Sequence, residues 1–379
     1  MEFIDLGAQY ARLEYDIANR IQAVLKHGSY IMGPEVAELE EALARYVGTR
    51  YAISCANGTD ALQLALMALK IGPGDAVFTS PFTFFATAEV ISLVGAVPVF
   101  VDIDPHTYNI STDKLVAAIS RVSAAGELKP AAIMPVDLFG LPAEYDAINS
   151  IAKRYGLPII EDAAQGFGGT LRGKRAGSFG TVGATSFFPA KPLGCYGDGG
   201  ALFTDDDNLY ERLRSLRVHG KGADKYDNVQ IGLNSRLDTL QAAILLEKLR
   251  IFPEELIARQ KVADQYTEKL SGILETPVVP SDYSSSWAQY TVRVAPDSRA
   301  EMQARLKSEG IPTAIYYAKP LHLQPAFADL GQREGTFPEA EAASHSVLSL
   351  PMHPYLTDIE VETVSNAVRK SVEAGTCVS

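Results

Sequence analysis

The stretch "VGATSFFPAKPLGCYGDGGALFT", residues 182–204, decides how this chain folds. Two β-rich runs, 182–188 and 200–204, are joined only by residues 189–199. A parallel crossover needs about a dozen residues or more, usually with a helix. The second run therefore reads as antiparallel to the first. The linker also carries Lys191, with Pro189 before it, Pro192 directly after it, and Gly194, Gly197, Gly199 and Gly200 beyond. Apolar, rigid surroundings desolvate a charged amine, lower its pKa and make it nucleophilic. The competing reading is a structural lysine paired with a carboxylate.

Outward from this stretch, short apolar runs alternate with amphipathic helical patterns from about residue 50 to 250. The other strand candidates are 51–55, 76–81, 97–103, 131–139 and 158–164. Several are continuously apolar, as strands covered on both faces are. The helical segments between them include "GTDALQLALMALKIG" and "EYDAINSIAKRYG", the latter with Gly156 as its C-cap. This predicts an α/β fold with a mainly parallel seven-stranded sheet. Residues 238–270 read as a long helix, kinked or broken at Pro253. Beyond it, "WAQYTVRVA" and "IPTAIYY" alternate with helical pieces, which predicts a small C-terminal α+β domain. The expected division is a large domain over 1–250, with an N-terminal helix near 7–27, and a small domain over 251–379. That first helix is expected to pack beside the small domain.

Composition narrows the function. The chain has 379 residues, 47% of them hydrophobic, and a net charge of -12. The acidity argues against nucleic-acid or anionic-membrane binding. Cys55, Cys195 and Cys377 form no CxxC pair and no zinc set, and an odd count suits a reducing compartment. No apolar run approaches the roughly 18 residues of a membrane span. The start "MEFIDLGAQY" lacks a signal-peptide pattern. A cytoplasmic protein with no membrane, nucleic-acid or metal partner is expected.

In open parallel sheets, ligands bind at the carboxyl ends of the strands. After "YAISC" come Gly58, which lets backbone approach closely, and Thr59, which reads as the helix cap; together they make an anion site. After "AVFTSP" come Phe82, Phe84 and Phe85, able to stack on a planar ligand or to pack in the core. "PIIEDAAQGFGG" ends in Glu161 and Asp162, followed by Gln165. A carboxylate at the end of an apolar strand needs a partner cation or a protonated ring nitrogen. Its "GFGG" lacks the GxGxxG spacing, which disfavours a nicotinamide oxidoreductase. Ser186 adds a possible phosphate hydroxyl. A phosphate grip, a ring platform, a buried carboxylate and an unusual lysine together match the needs of pyridoxal phosphate.

At these residues the chain resembles the sugar-nucleotide aminotransferases, pyridoxal-phosphate enzymes of fold type I. The likeness is strongest in "SCANGTDALQLAL", "IIEDAAQGFG", "TSFFPAKPLGCYGDGGALF" and "GLNSRLDTLQAAIL". Within the family it is most similar to the 3-aminotransferases of UDP-2-acetamido-2-deoxy-3-oxo-glucuronic acid. Those enzymes use L-glutamate and serve O-antigen and lipopolysaccharide synthesis.

The resemblance implies that Lys191 is the Schiff-base lysine and proton shuttle, and that Asp162 pairs with the pyridinium nitrogen. It puts Gln165 near the ring hydroxyl, Phe84 on the ring face, and Gly58, Thr59 and Ser186 on the phosphate. Asn234 would reach the phosphate of a second subunit's cofactor, giving a homodimer with shared active sites. Arg236, Tyr316 and Tyr317 are expected to bind substrate. For Arg236 the competing reading is a salt bridge with Asp238. Two alternatives follow: a 4-aminotransferase of a dTDP- or UDP-4-keto-6-deoxy sugar, and a non-catalytic cofactor-binding regulator.

Overall fold

A computed structural model of the chain describes residues 1–224 and 226–376; Cys377 lies outside them. The large sheet has seven strands: β1 (Tyr51–Cys55), β2 (Asp75–Thr79), β3 (Val97–Phe100), β4 (Lys129–Met134), β5 (Ile160–Asp162), β6 (Val182–Ser186) and β7 (Gly200–Thr204). β3, β2 and β4 pair in parallel, and so do β5 and β6. Parallel bridges from Ile133 to Ile159 and from Val136 to Asp162 join the two groups. The order is therefore β1-β7-β6-β5-β4-β2-β3. Only β7 runs antiparallel, between β1 and β6, as its short connection requires. The run expected to extend to 139 ends as a regular strand at Met134, with a single further bridge at Val136. Pro135 follows, and it has no N–H to give to a ladder.

Strand alternation divides the helices between the two faces. Val77, Ala132 and Leu202 face α3 (Gly58–Ala68), α4 (Ala86–Leu93) and α7 (Asp207–Leu216). Ala76, Phe78 and Ile133 face α5 (Thr112–Ala125) and α6 (Tyr145–Tyr155). Ala52, Ala201 and Phe203 face α2 (Pro34–Val47) and the first half of α8 (Thr239–Leu270). α8 passes through Pro253 as one helix of 32 residues instead of breaking there. Residue 250, expected as a domain boundary, lies inside it. The far half of α8, with Val262, Tyr266 and Leu270, packs in a second core.

That second core also holds the antiparallel pair β8 (Tyr290–Arg293) and β9 (Val347–Leu350), and the helices α9 (Pro296–Ser308) and α11 (Asp358–Thr376). "IPTAIYY" is not a strand. It gives one bridge, from Ala314 to Ser349, and its tyrosine pair then turns toward the large sheet. The first helix, α1 (Leu6–His27), was expected beside the small domain. It lies along the first half of α8 instead, with Leu13 and Ile17 on Ile244.

Candidate cofactor and substrate site

The carboxyl ends of β1, β5 and β6 converge on one concavity. The helix after β1 starts two residues earlier than its composition implied. Asn57, not Thr59, is the cap, and its Oδ1 accepts from the Asp60 amide at 2.8 Å. Thr59 therefore sits in the first turn, where amides have no preceding helical carbonyl to bond, and its hydroxyl is not used by the cap. Gly58 sits against Ser186: a Cβ built on Gly58 would lie 2.6 Å from the Ser186 Cβ. That close approach brings the first-turn amides of α3, its positive dipole end and the Ser186 hydroxyl to one place. The set suits a phosphate.

Asp162 ends β5 and is 4% exposed. Burial pushes its pKa up; the Thr87 hydroxyl, the Ala164 amide and the charge of Lys191 pull it back. Thr87 donates to Oδ2 at 2.8 Å and the Ala164 amide to Oδ1 at 3.2 Å. Thr83 in turn lies 3.1 Å from the Thr87 hydroxyl. Both carboxylate oxygens are thus held, and the group faces Lys191. Sequence reading missed Thr87. The available signal was slight: two hydroxyl side chains, Thr83 and Thr87, close after a strand's carboxyl end.

Of the three phenylalanines after β2, Phe82 packs edge-on against Phe139 and Tyr317, and Phe85 packs on Phe327. Phe84 is 57% exposed, although its neighbours are in the core. The core explanation therefore holds for two rings, and the third remains free to stack on a flat ligand. Gln165 has a fixed orientation: its Oε1 accepts from the Phe139 amide at 2.7 Å, and its Nε2 donates to the Tyr317 hydroxyl at 2.8 Å. Tyr317, expected as a sugar contact, is thus tied to Gln165 at the cofactor end. Burial raises its pKa, so it stays a neutral phenol. Tyr316 is partly buried and lies 6.4 Å, ring to ring, from Phe3.

Lys191 sits near the tip of a folded loop. Its own amide bonds the Phe188 carbonyl at 2.8 Å. The base is closed by Cys195 N–H to Phe187 O (2.8 Å) and Phe187 N–H to Gly199 O (2.7 Å). Burial lowers the Lys191 pKa, and the Asp162 charge partly restores it. Asn234 is exposed and is joined by a bridge to Val218. Arg236 is partly buried and, among the described residues, does not pair with Asp238. The salt-bridge reading therefore fails, and its guanidinium is available.

An α/β protein with a lysine of lowered pKa, a buried carboxylate beside it and a helix N-terminus packed on a serine, all at the sheet's carboxyl edge, has the groups that suit pyridoxal-phosphate chemistry. Comparison places it: residues 12–369 match the model of the DegT/DnrJ/EryC1/StrS aminotransferase family, and the chain belongs to that family. It is 52% identical over 97% of its length to UDP-2-acetamido-2-deoxy-3-oxo-D-glucuronate aminotransferase of Pseudomonas aeruginosa, covering 99% of that protein. It is 46% identical to a pleiotropic regulatory protein of Geobacillus stearothermophilus, with 95% of each chain covered. The crystal structure of a family aminotransferase from Brucella abortus matches with a TM-score of 0.95 and 53% identity, covering 98% of this chain and 99% of that one. Other solved relatives carry the cofactor in its pyridoxamine form. The protein is a pyridoxal-phosphate-dependent sugar aminotransferase.

Proposed function

We propose that the enzyme moves the amino group of L-glutamate to C3 of a UDP-linked 3-keto sugar, UDP-2-acetamido-2-deoxy-3-oxo-D-glucuronate. Its product would be a 3-amino sugar for O-antigen and lipopolysaccharide synthesis in the cytoplasm. The observation that carries the chemistry is Lys191, half-buried beside Asp162 with its pKa lowered. The substrate reading rests on the likeness to the Pseudomonas aeruginosa enzyme, whose name specifies that sugar. Arg236 supports it. Both glutamate and a uronic acid carry a carboxylate that a free guanidinium can grip bidentately.

The geometry supports these roles. Gly58, Thr59 and Ser186 would hold the cofactor phosphate, Phe84 its ring face and Gln165 its ring hydroxyl. Pyridoxal phosphate, when bound, supplies an electron sink at the substrate carbon. Asp162, held by Thr87 and Ala164, keeps the ring nitrogen protonated. Lys191 takes a proton from the glutamate α-carbon and later returns one to C3 of the sugar. Its depressed pKa keeps a useful fraction of the amine neutral for the first task.

Asn234 would complete the phosphate site of a second copy, so the enzyme acts as a homodimer. Exposed apolar side chains support a covered face: Tyr30, Ile31 and Met32 before α2, and Val229 and Ile231 before Asn234. The test incubates the holoenzyme and glutamate with the 3-keto uronate and, separately, with a dTDP-4-keto-6-deoxy sugar. The reading expects amination of the first only. Amination of the 4-keto sugar alone would overturn it. A regulator without catalysis would show no change of visible absorbance on adding glutamate.

A further inference from the structure

Behind Lys191 lies a second lysine. Lys248, in the middle of α8, is fully buried. Its Nζ donates to the Gly194 carbonyl at 2.7 Å and lies 4.1 Å from the centroid of the Tyr196 ring. Among the described residues it makes no salt bridge. Burial pushes its pKa down to about 8. An amine buried without a carboxylate is generally less stabilising than an apolar side chain of the same volume. Core filling does not account for it. What it does is fix one carbonyl of the loop that carries Lys191.

That carbonyl is well chosen. Gly194 lies where the two limbs of the loop meet: a Cβ there would be 2.5 Å from the Pro189 carbonyl and 2.7 Å from that of Phe188. Holding Gly194 therefore holds the chain on both sides of Lys191. One residue beyond Cys195, α8 grips again. Gln241 Oε1 accepts from the Tyr196 amide at 2.8 Å. The Tyr196 ring is in turn braced edge-on by Tyr10 of α1, at 6.2 Å between centroids.

We propose that Lys248 and Gln241 are positioning residues for Lys191: α8 splints the lysine loop at Gly194 and Tyr196 and so sets where the catalytic amine points. The proposal rests on the role given to Lys191 above. A small change in that aim is costly, because a displacement of about 1 Å at a reacting group loses on the order of 100-fold in rate.

The test compares holoenzymes of the wild type, Lys248→Met and Gln241→Ala. Three quantities are read: the pH midpoint of the visible cofactor band, kcat and KM for glutamate, and the melting temperature. Lys248→Met is expected to move the midpoint by half a pH unit or more and to lower kcat about tenfold, with KM within about twofold. Gln241→Ala should move both in the same direction, with kcat down about threefold. If Lys248→Met does not fold, Gln241→Ala carries the test. A wild-type midpoint and kcat in the folded variant, even with a lowered melting temperature, would make the contact purely structural and overturn the proposal. A wild type with no visible band would instead remove the role of Lys191 itself.

Discussion

Glu161 and Asp162 are adjacent on β5 and equally hidden, yet they face opposite regions of the molecule. Alternation along the strand turns Glu161 toward the turn at 177–180 and Asp162 toward Lys191. Glu161 accepts from the amides of Gly177, Phe179 (2.7 Å) and Gly180 (3.2 Å). Near it lies Asp137, whose Oδ1 accepts from Tyr145 and Ala143 while its Oδ2 is buried without a partner. Burial and the Glu161 charge raise the Asp137 pKa, and burial pushes Glu161 up to about 7 despite its three amide donors. Asp162 has fewer donors than Glu161 and has the charge of Lys191 beside it. Burial alone therefore does not mark a functional carboxylate. What marks it is the direction in which it points, toward Lys191 at the strand's carboxyl end.

Substitutions on the two faces should separate activity from stability. The largest effect is expected for Asp162→Asn, which loses the charge facing the ring nitrogen. Steady-state kinetics should show kcat down by 100-fold or more, on the order of losing one electrostatic stabiliser, with the melting temperature nearly unchanged. A wild-type kcat would break the distinction.

Next comes Glu161→Gln, which keeps the shape but turns an amide toward backbone N–H donors. Denaturant unfolding should show a loss of about 2–4 kcal/mol, with kcat at low temperature within about threefold. A severe loss of kcat in the folded protein would mean that the two faces are not independent.

The smallest effect is expected for Thr87→Val. The Thr87 hydrogen bond lowers the Asp162 pKa, so its removal lets the carboxyl rise further. Asp162 must be ionised to hold the ring nitrogen's proton. The acid limb of kcat/KM for glutamate should therefore move to higher pH. An unmoved limb would show that Thr87 only packs.

Much of this was legible in the sequence, because some residues permit few alternatives. The short link between β6 and β7 forced an antiparallel return, and β7 runs that way. Lysine between two prolines predicted a held, poorly hydrated amine, and Lys191 is half-buried with its pKa lowered by desolvation. Gly58 predicted close backbone approach, and it abuts Ser186.

What was not legible depends on long-range partners. Lys248 reads as one more charged residue in "ILLEKLR"; only the folded loop shows that its amine meets Gly194. Thr87 looked like an ordinary helical threonine until β5 brought Asp162 beside it. The cap at Asn57 was misplaced by two residues because Thr59 is an equally good capping type. "IPTAIYY" had strand composition, but the bond from Gln165 to Tyr317 accompanies its turn toward the site.

The loop carries one lysine, Lys191, and is held by a second, Lys248, and the account assigns the cofactor to only the first. Borohydride reduction of the holoenzyme, followed by peptide mapping, tests this directly. The account predicts the pyridoxyl group on the peptide containing Lys191, and no fixed cofactor after Lys191→Ala. The pyridoxyl group on Lys248, or undiminished labelling in Lys191→Ala, would contradict it.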